Sequence, residues 1–519
     1  MPDFRRRALL TLPLLCGAAW AQNSQYISGA FGSPETFATH TQLVSYGFAY
    51  GPSDGTFGAI PAGGNTYTFY GTAGSNATCA GSPNNNGVYS FTGTLDQVTG
   101  SVCKRMFGPG SGPAGWVFDQ NYAGGGQIVP FSSGANSGWL VVFHGEYQWK
   151  NPDTASGACT ISGAGQVPCF YSSLGLAVSM DNGKSFQVAG QILQPSQPLS
   201  AFEGGGTNMA VGYGSLIVAD ANGKHLDNPP ADPRAAYFYL FYSDLLPGLP
   251  GACAANVCIG VARAPYASVV AAALSGDPHQ VATLFQKYNG ATPNPWAQPA
   301  TSDTPDLSGT AGSYAPLWTN DGGASPEVIY DSSYDVYLAV YLTGQGLRVR
   351  ASSDLIHWTG PIGASFAESG RSLYYPTFIG DTGDPTIGGP VPRIYFSSFA
   401  NGSFPNYGMS IFESVPLNLS LTTGSPFVYV GRASSASGGN GSVNVTVPAG
   451  FSWTATTTAS WITFSGPASG VGSGTLSYQV APNSGGIAPP RSLLRATLLR
   501  SSRKGRRLRD WQRSARWGR

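Results

Sequence analysis

Short runs of β-branched and aromatic residues recur along the chain, divided by Gly, Ser, Asn and Asp, and almost none is long enough for a helix. The clearest case lies between Leu317 and Pro361, where an acidic residue, Glu327, follows a Gly-rich turn. Residues 328–330, 336–342 and 347–352 then read as strands, and Ser353-Asp354 opens a tight turn before a fourth, Ile356-His357-Trp358.

The same plan recurs: an acidic or Gly-rich turn, an apolar strand, a Tyr/Phe-rich strand, and a third strand before a loop. A first repeat starts at Asp54, with strands over 57–60, 66–70 and 88–91. A second starts at Asp119 (124–129, 139–143, 174–179) and a third at Glu203 (209–211, 237–242, 259–262). The stretch at Glu327 is the fourth, and the fifth runs over 374–379, 393–396 and 409–412. Repeats of roughly 40–70 residues predict an all-β chain with a five-bladed β-propeller over 22–430, the alternative being one large β-sandwich. Residues 22–40 read as a polar, aperiodic entry segment, and only 268–274 and 279–288 look helical.

Composition moves this protein outside the cell. Charged residues make up 10% of the chain and aromatics 12%, with 71 Gly, which suits a turn-rich β protein better than a helical or disordered one. Residues 1–21 join Arg5-Arg6-Arg7 to an apolar run and to Ala19-Trp20-Ala21, the pattern of a secretory signal peptide. A secreted or periplasmic protein is expected; the apolar run is too short for a membrane anchor, and no later stretch reads as transmembrane. Arg6-Arg7 also fits a twin-arginine signal, and Cys16 a lipoprotein, although Leu15 is large for that site. Cys79, Cys103, Cys159, Cys169, Cys253 and Cys258 fall into three sequence-local couples, suggesting disulfides 79–103, 159–169 and 253–258. No Cys/His spacing supports a metal site, so neither metal nor cofactor is expected. Residues 22–490 hold 13 of the 27 Lys and Arg but 24 of the 26 Asp and Glu, a net charge of −11 that argues against nucleic acid as a partner. A monomer is expected.

Two motifs carry a resemblance. Ser179-Met180-Asp181-Asn182-Gly183-Lys184-Ser185-Phe186 resembles the Asp box of sialidase-like propellers, and Ser353-Asp354-Leu355-Ile356-His357-Trp358 resembles a turn of five-bladed glycoside hydrolases of families 43 and 32. Both bear on fold more than on activity. Beyond residue 430 a Thr/Ser-rich strand series with Phe451-Ser452-Trp453-Thr454-Ala455, Ser460-Trp461-Ile462-Thr463 and Gly472-Ser473-Gly474-Thr475 resembles a BACON-like, immunoglobulin-type β-sandwich over 433–490. Such modules accompany secreted carbohydrate-active proteins; Trp453 and Trp461 then read as sugar platforms or, more simply, as core. Residues 491–519 lack strand alternation and read as a disordered Arg-rich tail, either a basic interaction segment or a frameshifted end that leaves the sandwich incomplete.

A propeller gathers the starts of its innermost strands around one axis, and at those points stand Asp54, Asp119, Glu203 and Glu327. Clustered carboxylates in a funnel suit glycoside hydrolysis, one as an acid of raised pKa and another as base or nucleophile. The resemblance to families 43 and 32 implies Asp54 as base or nucleophile, Asp119 as the orienting carboxylate, and Glu203 or Glu327 as the acid. Asp54 lies in Pro52-Ser53-Asp54-Gly55-Thr56 and not in the D-P context of those families, Glu327 follows Ser325-Pro326 and is not in an E-G-P context, and each carboxylate alone has a plainer reading as a turn residue or strand cap. His144, Glu146, Trp116, Trp318 and Tyr375 are candidate sugar-binding residues, with core packing as the competing explanation. No G-x-S-x-G or P-loop occurs, and no GxGxxG stands between a strand and a helix. A glycoside hydrolase-like protein acting on polysaccharide or oligosaccharide is expected; a non-catalytic carbohydrate- or protein-binding propeller is the alternative.

Overall fold

In the computed structural model, which describes residues 27–50, 54–75, 87–112, 116–150, 159–161, 165–167, 169–196, 210–245, 258–291, 293–296, 312–319, 321–389, 391–403, 410–421, 427–430, 439–445, 452–457, 462–471, 474–482 and 493–499, strands occupy most of the apolar runs. The chain divides into two units, Met1–Ser420 and Leu421–Arg519.

Mainly antiparallel sheets build unit 1 among the described residues; five of them have four or five strands, and a sixth is the two-stranded pair Cys159–Ile161 and Gly165–Val167. Sheet I comprises Phe48–Tyr50, Gly58–Gly63, Thr66–Ser75, Gly87–Gly93 and Val98–Phe107; sheet II comprises Tyr122–Gly124, Ile128–Ser133, Asn136–Lys150, Cys169–Ser179 and Gln187–Leu193. Sheet III runs Ala210–Asp220, Ala236–Leu245, Cys258–Pro265 and Gln286–Lys287. Ala324–Asp331, Val336–Thr343 and Gly346–Ser352 form sheet IV, and Arg371–Ile379, Arg393–Ala400 and Ser410–Leu421 form most of sheet V.

Near the axis, side chains of one inner edge bind the backbone of the next, satisfying polar groups that no sheet ladder reaches. Thr72 Oγ1 of sheet I accepts from Gly125 N at 2.6 Å, and Gln127 Oε1 of sheet II accepts from Leu216 N at 2.6 Å. Ser215 Oγ of sheet III accepts from Val328 N at 3.1 Å, while Thr377 Oγ1 of sheet V accepts from Phe57 N of sheet I at 3.3 Å. Sheets IV and V are joined by Ile387–Gly388, which leaves sheet V to pair in parallel with Ala324–Asp331. The sheets thus form a closed ring, the arrangement of a β-propeller. Between neighbouring sheets lie apolar clusters, such as Phe118, Ile128, Val141 and Phe143 against Ile60 and Tyr70, each largely or wholly removed from solvent.

Three expectations need correcting. Residues 27–39 are not an aperiodic entry: Ile27–Phe31 and Glu35–Thr39 both pair with Ser410–Leu421 and complete sheet V. Alternation there is short, and its register is set by a partner almost four hundred residues away, information absent from the local pattern. Ile356-His357-Trp358 is not a fourth strand, because Asp354 closes a turn over it, leaving only an isolated bridge from Trp358 to Ser352. Helices occupy Tyr266–Ser275 and Pro278–Ala282, the second ending sooner than 279–288 because Gln286–Lys287 joins sheet III. A further short helix, His40–Ser45, starts at a capping box between Thr39 and Gln42.

Unit 2 has two sheets among its described residues, one ordered Phe427–Val430, Leu493–Leu499, Ser452–Thr457, Ser469–Val471 and the other Gly439–Val445, Gly474–Val480, Ile462–Phe464. The unit therefore begins before residue 433, and the segment expected to be a strandless tail supplies Leu493–Leu499, paired on both sides. Its polar residues are Arg495 and Thr497, set between apolar neighbours, and pairing on two sides outweighs the weak alternation. Residues 500–519 lie outside the described residues.

Candidate functional site

One polar cluster sits where the inner strands of several sheets begin. Asp54, half-buried ahead of sheet I, is met by tyrosines from three other sheets. Tyr122 of sheet II donates its hydroxyl to the Asp54 carbonyl at 2.6 Å and lies 3.3 Å from Oδ2. Tyr213 of sheet III donates to the same carbonyl at 2.9 Å, and Tyr375 of sheet V donates to Asp54 Oδ1 at 3.3 Å. Burial first, then the charge of Asp54, pushes the Tyr122 hydroxyl well above its ordinary range, so it remains a donor.

The backbone is shaped for this convergence. Tyr375 holds a φ of 53° beside a register break between Tyr374 and Thr377, a bulge that re-aims a side chain. Gly124 provides close approach, since a Cβ there would stand 2.7 Å from Tyr122 Cε1 and 3.1 Å from Tyr213 Cε1.

His144 and Glu146 adjoin this cluster from Asn136–Lys150, two residues apart and hence on one face. The buried His144 ring stacks on Tyr213 at 4.7 Å and meets the edge of Tyr122 at 5.7 Å. Its Nδ1 is 3.0 Å from Val211 O, and its Nε2 is 3.1 Å from Glu146 Oε1. Asp54, His144, Glu146 and Tyr375 are thus brought together.

The other described candidates are not. Asp119 is fully buried and its Oδ2 accepts from Gly112 N at 2.8 Å, so it closes the 108–119 loop instead of orienting a reacting group. Burial pushes its carboxyl up to about 6, against the pull of backbone donors. Glu327 is also fully buried, with neither carboxyl oxygen hydrogen-bonded. Burial alone raises its pKa well above the ordinary value, which disfavours its ionised form. Trp318 is core: its Nε1 donates to Gly322 O at 2.9 Å, and the Arg350 guanidinium lies 4.8 Å above its ring. Trp116 packs at 6.0 Å on Phe118 and 5.2 Å from His279. Glu203 lies outside the described residues, as do Trp461 and the side chain of Trp453. Each proposed disulfide has at least one cysteine whose side chain is not described either.

Sequence reasoning missed Tyr122 and Tyr213. Their signal is local: Tyr122 precedes Ala123-Gly124-Gly125-Gly126, and Tyr213 stands between Gly212 and Gly214, places where backbone can approach a large ring. It also missed Asp321, bound by Arg348 at 2.9 Å and Arg350 at 2.6 Å. Burial opposes ionisation of Asp321, but Tyr341 and the two guanidiniums outweigh it and hold the carboxyl below its usual range. Among the described residues no group of three or more His, Cys, Asp or Glu is placed to hold a metal, and no helix is long and apolar enough to cross a membrane.

No family model matches the chain, and no curated protein does. Solved structures similar to it include a GH62 hydrolase in complex with xylotriose, with 12% identity and a TM-score of 0.39 over 75% of this chain and 96% of that one. Another is a family 117 glycoside hydrolase from the marine bacterium Zobellia galactanivorans, with 10% identity and a TM-score of 0.41 over 78% and 94%. A third is an alpha-L-arabinofuranosidase from Podospora anserina in complex with cellotriose, with 10% identity and a TM-score of 0.38 over 75% and 96%.

Proposed function

We propose that unit 1 is an exported carbohydrate-active propeller that binds a glycan over Asp54 and cleaves a glycosidic bond there. The observation that carries this is that Asp54 and Glu146 border one aromatic cluster: Asp54 is bonded by Tyr122, Tyr213 and Tyr375, and Glu146 by His144, whose ring stacks on Tyr213. Tyrosine faces suit sugar rings, and two carboxyls in different surroundings suit acid and base roles. Asp54 acts as base or nucleophile, in keeping with the resemblance to families 43 and 32. Export rests on the pattern of residues 1–21, and the resemblance of residues 433–490 to a BACON-like module makes unit 2 an accessory sandwich.

Hydrolysis should be measured on arabinan, xylan, fructan and sialosides for the wild type, Asp54→Asn, Glu203→Gln and Glu327→Gln. Asp54→Asn is expected to lose about 100-fold or more in kcat, the scale of a missing acid–base group, while Glu327→Gln stays near wild type. Equal activity of Asp54→Asn and wild type would sink the catalytic reading. The sealing of Asp119 and Glu327 favours one second reading, a glycan-binding propeller without turnover. It predicts retention on a glycan column and no product from any substrate.

A further inference from the structure

We propose that His144 and Glu146 hold one shared proton, which makes Glu146 the acid member of the site and His144 the residue that positions it. The role in catalysis rests on the glycoside reading above; the shared proton does not.

Both ring nitrogens of His144 face an acceptor. Val211 O, 3.0 Å from Nδ1, is a carbonyl and only accepts, so Nδ1 carries a hydrogen. A neutral ring protonated there leaves Nε2 bare, 3.1 Å from Glu146 Oε1. A bare nitrogen against an ionised carboxylate is two lone pairs in contact. The geometry therefore needs a proton between them, either on Nε2, giving imidazolium and carboxylate, or on Oε1, giving neutral ring and carboxyl. Either way the pair carries one proton more than a neutral histidine beside an ionised glutamate, and that proton lies between the two groups. The ring has little freedom to escape this, being stacked on Tyr213 and edged by Tyr122. The ionisable groups facing it are Tyr122 on its own sheet and Tyr213 from sheet III; both hydroxyls bond to Asp54 of sheet I, which Tyr375 of sheet V also touches.

In glycoside cleavage the proton on Glu146 passes to the glycosidic oxygen as its bond to the anomeric carbon breaks. Asp54 takes a proton from the water whose oxygen bonds to that carbon. The products together gain one water; Asp54 then releases its proton to solvent, and Glu146, now a carboxylate facing a bare Nε2, takes one up from solvent, which restores the starting state. His144 sets this by making the deprotonated pair unfavourable.

Imidazole nitrogen NMR across a pH series, with labelled Glu carboxyl carbons, tests the shared proton without any turnover. The expected result is a His144 with Nδ1 protonated and a single midpoint for its Nε2 and the Glu146 carboxyl. In Glu146→Gln, whose amide can donate to Nε2, the ring should stay neutral and cease to titrate. A His144 protonated on Nε2 with bare Nδ1, or two separate midpoints, overturns the proposal. For a substrate the wild type turns over, Glu146→Gln should lose about 100-fold in kcat and the alkaline limb of its pH profile. An unchanged limb overturns the acid role. If the wild type cleaves nothing, the glycoside reading fails, and the NMR still decides the shared proton.

Discussion

Asp119 shows how one residue can satisfy a sequence pattern and serve a different purpose. It stands at the start of a repeat, yet its carboxyl faces the amide of Gly112 in its own loop, so capping explains it. Its pKa is raised from 3.8 to about 6, chiefly by burial. A carboxyl whose folded value exceeds its unfolded value stabilises the fold below the unfolded value and loses that contribution as pH rises through the folded one. Asp119→Asn keeps an acceptor for Gly112 and never ionises. Its stability relative to wild type should therefore be level near pH 3.8 and grow through about 6, reaching on the order of 3 kcal/mol at neutral pH. Urea unfolding at several pH values checks this, and a difference that does not vary with pH would refute it. Asp54, His144, Glu146 and Tyr375, which lie in or beside one cluster, could be singled out because each adjoins or lies in a strand of a repeat. Burial was not legible: nothing in the sequence separates a half-buried carboxyl such as Asp54 from Glu327, which is fully buried.

At the scale of elements, turns were read better than strand boundaries, because a turn is closed by residues next to each other. Asp181 accepts from Ser185 N at 2.9 Å, Ser185 Oγ at 2.5 Å and Ser179 Oγ at 2.9 Å, as its motif implies. Asp354 likewise accepts from Ile356 N at 3.0 Å, His357 N at 2.7 Å and His357 Nδ1 at 2.7 Å. That turn seats Trp358 against Phe241 of sheet III at 5.7 Å and against Trp318 at 5.9 Å. The sequence supports a strand at 356–358 on composition alone, but three bonds to one carboxylate and Leu355 at a φ of 67° fix a turn. Asp354→Ala should cost about 1–2 kcal/mol, since it strands amide donors and loosens Trp358. A thermal melt following tryptophan fluorescence measures this, and an unchanged midpoint would show that the loop backbone holds Trp358 unaided. Leu493–Leu499 went unread for the opposite reason: its partners, Phe427–Val430 and Ser452–Thr457, lie far away in sequence.

For the whole of unit 1 the decisive fact is closure, and it comes from chain that looked like an entry segment. Glu35–Thr39 pairs with Ser410–Leu421, and Phe37 on that strand is wedged where the ring meets itself. Its ring lies 5.4 Å from Phe69 of sheet I and 5.0 and 5.2 Å from Tyr395 and Phe412 of sheet V. Arg393 of sheet V adds ion pairs to Glu35 at 2.8 Å and Asp96 at 3.5 Å, both exposed and worth little by comparison. The repeating β-sheet plan was legible because most strands of each sheet come from neighbouring residues, whereas closure joins the two ends of a long chain. Phe37→Ala should cost about 3–5 kcal/mol by emptying a site packed on every side. Because that site holds sheet I to sheet V, the loss should appear as a lower urea midpoint for the whole unit with the slope retained. Amide exchange separates this from the alternative. If Phe37→Ala speeds exchange only in Ile27–Phe31 and Glu35–Thr39, those strands merely lie on a ring held shut by the Thr377–Phe57 bond and its neighbours. If exchange quickens in inner strands of sheets I and V together, the terminal strand is the clasp, and the integrity of the Asp54 site depends on it.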